Sequence, residues 1–278
     1  MPKLQLDSLE WHSALANLFE NVGESEFPTL LSNMLFSLTP YDSIAVYTYL
    51  EGVKPKMLFH NIPEALVDVT LTNYVDGPYL LDPITQACAR GISSGVYHLG
   101  ELAPDHFRQS EYYKRYYQQI GLRDESVVLI MLEPGYYVTL SIGHRHADQG
   151  KISSRDLQRL KKVAPVLISA GRMHWSMALE KHPQKLRYRS QVDQLSKAFD
   201  SFGSEELTSR EREIAREILK GHSGKSIARM LNISLETVKV HRKHINNKLG
   251  VSSHAQLFTL FINHLAGSTG TEALPEAQ

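Results

Sequence analysis

Two lysines and a valine, Lys239, Val240 and Lys243, fall within the stretch ETVKVHRKHINNKL near the C-terminus. At about 100° per residue, a helix through this stretch puts Val238, Ile245 and Leu249 on one side, with His241 at its margin. Glu236, Lys239, Val240, Lys243 and Asn247 fall on the other side. An outward valine between two outward lysines has no role in water. In the major groove of double-stranded DNA, its methyls can touch a thymine methyl while the ammoniums reach guanine acceptors or phosphates. Thr237, Arg242 and Lys248 flank this face at positions suited to phosphates. The alternative is a protein-interaction module with a solvated basic helix.

Other chemistries lack their residues. His241 and His244 have no carboxylate or thiol companions, so no metal site is assigned. No nucleophile elbow or glycine-rich phosphate loop is present, so no catalytic residue and no cofactor is expected, and the chain is read as a non-enzyme. The single cysteine, Cys88, excludes an internal disulfide framework and reads as a small buried hydrophobe. MPKLQLDSLEWHS does not read as a signal peptide. The longest apolar run, Val127 to Leu132, is too short to span a bilayer, so no membrane association and a cytoplasmic location are expected.

The zero net charge of the 278 residues hides an asymmetry. From Thr208 to Gly250 there are ten basic and four acidic residues, a net +6 that leaves −6 for the remainder. A basic module beside an acidic partner is the electrostatic footprint of a nucleic-acid binder.

These residues need elements to hold them. Four helices fit between Leu207 and Leu265. Thr208 or Ser209 caps the first, which ends at Gly221. Lys225–Leu231 is short, and Asn232-Ile233 makes the turn. Ser234 caps the third, which runs to Leu249, and a fourth spans about Ser253 to Leu265. A short helix, a tight turn and a longer capped helix make a helix-turn-helix. Upstream, helices are predicted at Ser8–Asn21, Glu26–Ser37, Pro63 to Val75, from Asp82-Pro83, at Phe107–Gln119 and from Ser154 to about Leu179. Strands are predicted at Ser43–Leu50, Lys56–His60, Gly95–Leu99, Val127–Leu132 and Tyr137–Gly143. The expected fold is an α+β N-terminal α/β/α sensor domain with an antiparallel sheet, similar in shape to GAF or PAS sensors, plus an all-α four-helix DNA-binding domain. The boundaries are 1–180 for the sensor, 181–206 for a linker, 207–266 for the helical domain and 267–278 for a disordered tail. Leu157, Leu160, Val163, Ala164, Leu167 and Ile168 on the long helix serve either as a dimer surface or as ordinary core.

The run LTSREREIAREILKGHSGKSIARMLNISLETVKVHRKHINNKLGV resembles the LuxR-type (GerE-like) C-terminal domain over its whole length. The resemblance implies that Lys239, Val240 and Lys243 occupy base-reading positions, and that a homodimer binds an imperfect inverted repeat. Residues Asn61 to Ser141 resemble the autoinducer-binding domain of quorum-sensing LuxR proteins. The matching pieces are Asn61-Ile62-Pro63, Tyr74, Tyr79, Asp82-Pro83, Tyr97, Glu111-Tyr112-Tyr113, Gly121-Leu122 and Leu140-Ser141. This resemblance implies that Asp82 accepts a hydrogen bond from a ligand amide, that Tyr97 walls the pocket and that Ser141 lines it, with Tyr74, Tyr79 and Tyr113 as further ligand-site candidates. Asp82 is also read as the cap of its helix, a role compatible with ligand contact. Acyl-homoserine lactone sensors carry a Tyr before that Pro and a Trp three residues beyond it, where this chain has Ile62 and Leu66.

The function expected from the sequence is a regulator that senses a small metabolite other than an acyl-homoserine lactone, with Asp82 favouring an amine or amide. RNA polymerase is a further candidate partner, as for an activator. A ligand-independent DNA-binding regulator and an acyl-homoserine-lactone-type receptor stay open as alternatives.

Overall fold

The computed structural model describes residues 5–50, 53–67, 73–75, 77–118, 121–122, 124–144, 151–180 and 200–268. Alternation of apolar residues over SIAVYTYL makes β1 (Ser43–Leu50), and a hairpin returns it as β2 (Val53–His60). β3 (Gly95–His98), β4 (Asp124–Glu133) and β5 (Tyr136–His144) complete a five-stranded antiparallel sheet of order β2-β1-β5-β4-β3.

The two-residue period divides the sheet chemically. Ile44, Val46, Val128, Ile130, Val138, Leu140 and Ile142 point to one face. They pack there with Trp11 and Leu18 of α1 (Leu9–Glu20), Leu31 and Leu35 of α2 (Phe27–Leu38), and Leu160 and Leu167 of α8 (Ser154–Glu180). Ala45, Tyr47, Tyr49, Val127, Leu129 and Tyr137 occupy the opposite face with Ile84 and Cys88 of α5 (Pro83–Ala89). Burial pushes the Cys88 thiol up to about 12, as expected of a structural cysteine. The apolar stripe of α8 named as a candidate dimer surface is used within the chain, because Leu160, Val163, Ala164, Leu167 and Ile168 all lie in this core.

Three local expectations are corrected. The single helix from Pro63 to Val75 is replaced, among the described residues, by two short pieces, α3 (Glu64–Val67) and α4 (Asn73–Val75). A short helix absent from the sequence reading, α6 (Leu99–Leu102), follows β3. The amphipathic helix over 107–119 is broken at Ser110, whose extended backbone (φ −68°, ψ 153°) lets its hydroxyl accept the Tyr113 amide at 3.1 Å. A 3₁₀ turn (Phe107–Gln109) therefore precedes the cap, and α7 (Glu111–Tyr113) widens into a π turn (Lys114–Gln118) after it. A serine competes for helix-end amides better than it continues a helix, and its local signal overrides the hydrophobic period.

The C-terminal helices are α9 (Ser209–Lys220), α10 (Gly224–Met230), α11 (Leu235–Leu249) and α12 (His254–Ser268). Thr208 and Glu211 form a reciprocal capping box at the start of α9. Ser223 and Ser234 cap α10 and α11. Between α10 and α11, Asn232 adopts φ 52°, a left-handed conformation that asparagine tolerates better than most residues. The expected tail, 267–278, falls on the end of α12 and otherwise outside the described residues.

The helical unit is docked on the sheet domain. Phe107, Tyr112, Tyr117, Tyr79 and Leu81 share one apolar cluster with Phe202, Phe258, Phe261 and Leu265. The Asp105 carboxylate accepts hydrogen bonds from the Ser223 amide at 3.0 Å and from the Ser223 hydroxyl, and the His106 amide donates to the Gly221 carbonyl at 3.1 Å. Arg115 donates to Thr259 at 3.1 Å and lies 5.0 Å over the Phe258 ring. Two glycines make this approach possible. A Cβ on Gly77 (φ +139°) would lie 2.9 Å from Leu265 Cδ1, and one on Gly221 (φ +96°) would lie 3.0 Å from the Phe107 Cα. Because Asp105 holds the capping serine of α10, Asp105→Ala is expected to weaken that helix start by about 1 kcal/mol. Hydrogen exchange of the 223–227 amides should then speed up roughly fivefold at 25 °C. Unchanged exchange would show that the clamp contributes nothing.

Candidate nucleic-acid interface and a buried cavity

In α11, Val238 and Ile245 are fully buried, and Lys239, Val240, Lys243 and Asn247 are exposed. Val240 is 52% exposed and stands between the exposed Lys239 and Lys243. Among the described residues the Lys239 ammonium pairs with an exposed neighbour, Glu236, at 2.7 Å; such a pair is weak and yields readily to a phosphate or base. The flanking residues differ. Thr237 is half-buried and its hydroxyl lies 2.7 Å from that of Ser234, within the cap. Arg242 is half-buried and bonded to His254 at 2.7 Å. Lys248 reaches back 2.7 Å to Glu211, which also accepts the Thr208 amide at 2.8 Å. The Lys248 ammonium and the Thr208 donors hold the Glu211 carboxyl down at about 2. Lys248 thus ties α11 to α9.

On the sheet face opposite α1, α2 and α8, a cavity of about 90 Å³ opens among Tyr47, Ile62, Tyr74, Asp82, Thr85, Tyr112, Tyr116, Tyr117, Glu125, Thr139 and Ser141. Strand pairing sets its floor: Ala45 and Val127 flank Ser141, and Tyr47 faces Thr139. Asp82 does two things at once. One carboxylate oxygen caps α5 by accepting the Ile84 amide at 2.8 Å, and the other accepts the Tyr74 hydroxyl at 2.8 Å. Burial pushes its carboxyl up against those bonds. Glu125 is more extreme. Burial, then the nearby Asp82 charge, pushes it up to about 8 against the opposing pull of the Ser141 and Tyr117 hydroxyls. Among the described residues its Oε2 has no partner. A second cleft of about 350 Å³, beside His98 and Asp105, shares Tyr117, Leu122 and Glu125 with the first.

Of the ligand-site residues named from sequence, the cavity brings together Tyr74, Asp82 and Ser141. Tyr79 lies in the apolar cluster at the junction with the helical unit. Tyr97 packs beside α5 and donates to the Ser93 carbonyl at 3.0 Å. Tyr113 stacks on Tyr117 at 5.3 Å and lines the second cleft. The sequence reading missed Glu125 because it began β4 at the apolar run. Counting back two residues from Val127 would have placed Glu125 on the cavity face.

Residues 205–261 match the family described as GerE, bacterial regulatory proteins of the luxR family. Over 190 residues the chain is 34% identical to a putative HTH-type transcriptional regulator in the exeN 3′ region of Aeromonas salmonicida, covering 66% of this chain and 94% of that one. The chain belongs to the LuxR family of bacterial regulatory proteins. A second relative, the monoamine regulon transcriptional regulator of Klebsiella aerogenes, is 27% identical over 221 residues, covering 79% of this chain and 83% of that one. The sheet domain of this LuxR-family protein is also similar in fold to the VqsR LBD domain from Pseudomonas aeruginosa, with a TM-score of 0.53 and 22% identity over 61% of this chain and 98% of that one. The family consists of DNA-binding transcriptional regulators rather than enzymes. Among the described residues, no helix is long and apolar enough to cross a membrane.

Proposed function

We propose that this LuxR-family regulator is an effector-responsive switch that binds an inverted-repeat operator as a homodimer. The observation that carries the DNA-binding part is the exposure of Lys239, Val240 and Lys243 on a helix held from behind by Val238 and Ile245. Thr237, Arg242, Asn247 and Lys248 extend the proposed DNA-facing surface, with RNA polymerase as a further partner at a promoter. Two-fold symmetry of a dimer would be mirrored in the half-sites.

The cavity supports the effector part. It combines aromatic walls with a few polar groups, the make-up of a small-molecule site. Ile62 lines it at the position where lactone sensors carry a tyrosine donor, so the cavity favours a different metabolite. Asp82 and the Klebsiella relative, named for a monoamine regulon, both favour a nitrogen-bearing effector. Selection of bound duplexes from a random DNA pool by the full chain should enrich an inverted repeat with two chains per duplex. Operator affinity should then shift with a metabolite that fills the cavity. Enrichment of single, unpaired half-sites would remove the dimer, and operator affinity indifferent to every cavity ligand would remove the switch.

A further inference from the structure

The Glu125 Oε2 is buried with no hydrogen-bond partner among the described residues. A buried carboxylate oxygen without a donor is costly, and native cores rarely keep one without a functional reason. Val127, two residues along the same face of β4, is buried in one apolar cluster with Tyr49 and Leu129, so an apolar residue at 125 would be the ordinary choice for the strand. Instead Glu125 lines the cavity with its Oε2 buried and unpartnered among the described residues, close to a second acid, Asp82, whose two oxygens each accept one hydrogen bond, from Ile84 and Tyr74.

Building on the effector reading above, we infer that the cavity takes a small primary amine as its ammonium ion, with the nitrogen on the Glu125 carboxylate and the alkyl part against Tyr47, Tyr74 and Ile62. Three features support the cationic form over a neutral amide. Two acids face one small space, and a single positive charge relieves their mutual repulsion. The rings of Tyr47 and Tyr74 lie 5.3 Å apart and tilted by 47°, offering aromatic faces that attract a cation. Ser141 and Tyr117 line the same space, where their hydroxyls can donate to the carboxylate once it is ionised. The volume of about 90 Å³ has room for roughly half a dozen water-sized groups, which limits the ligand to a short chain.

Calorimetric titration of the full chain at pH 7 with butylamine, butyramide and butyrate tests this, since the three share a size and differ in charge. Butylamine is expected to bind at least roughly tenfold tighter than the other two. Glu125→Gln should weaken it roughly 10- to 100-fold, as for loss of a charge-assisted hydrogen bond. Glu125→Asp, which keeps the charge, should retain the amine-over-amide preference. Butylamine binding should also release a proton from Glu125, visible as a heat that varies with the ionisation enthalpy of the buffer. Butyramide or butyrate binding as tightly as the amine, an unaltered amine affinity in Glu125→Gln, or no binding of any of the three would overturn the assignment. Amine binding that leaves operator affinity untouched would uphold this site while removing the switch.

Discussion

Alanine at both Lys239 and Lys243 is expected to weaken operator binding by roughly 100-fold or more, while the thermal midpoint of the free protein stays where it was. Each good contact to a base edge is worth about 1–3 kcal/mol, and both ammoniums stand on the exposed side of α11. Neither holds the fold: among the described residues Lys239 pairs with the exposed Glu236, and the helix is anchored by Val238 and Ile245 at its back. The salt dependence separates two kinds of loss. If the lysines neutralise phosphates, the slope of log affinity against log salt should flatten by about 0.9 for each one removed. If they read bases, the slope should hold and discrimination against altered half-sites should fall. An unchanged anisotropy titration for the double variant would mean that α11 is not the reading helix.

The second large effect concerns pH. Glu125 ionises ordinarily near 4.5, and burial, then the Asp82 charge, raises it to about 8 in the folded chain. A group raised in this way favours the fold fully below about pH 4.5, and its contribution disappears as pH climbs through 8. Asp82, Asp124, Tyr117 and Ser141 act on it, and Tyr41, Tyr47 and Tyr112 feel its charge; none of these is a cation. The ligand-free protein should therefore lose several degrees of thermal midpoint between pH 5 and 9 relative to Glu125→Gln, at about 2–4 °C per kcal/mol for a chain of this size class. Parallel melting curves for the two proteins across that range would show that Glu125 is not held in its acid form.

Much of this was legible in the residues because the signals were local. Thr208 and Ser234 each stand at a helix start with the side chain that satisfies the exposed amides. The apolar stripe Val238, Ile245 and Leu249 needs only the helix period. The sheet was readable in the same way: β1 begins and ends where its alternation does. What escaped depended on distance. Asp105 and Ser223 are 118 positions apart, and nothing near either one announces the other. Glu125 looked like a polar lead-in to an apolar strand, and its meaning comes from Asp82 on another element. Tyr97 and Tyr79 carried the right chemistry for a pocket but point elsewhere, because aromatic residues serve cores and cavities equally well.

The junction between sheet domain and helical unit bears on how freely such regulators can be recombined. Phe258, Phe261 and Leu265 complete their packing on Tyr112, Tyr117 and Phe107, side chains borrowed from the front of the chain. A tail transplanted onto a foreign receptor would arrive with that patch bare and with Ser223 missing its acidic tether. Two of the borrowed rings, Tyr112 and Tyr117, also wall the cavity. Anything settling against them would lie one side chain from Phe258, Phe261 and Leu265 of the helical unit. Functional hybrids would have to move those tyrosines, Asp105, and the glycines at 77 and 221 as a set.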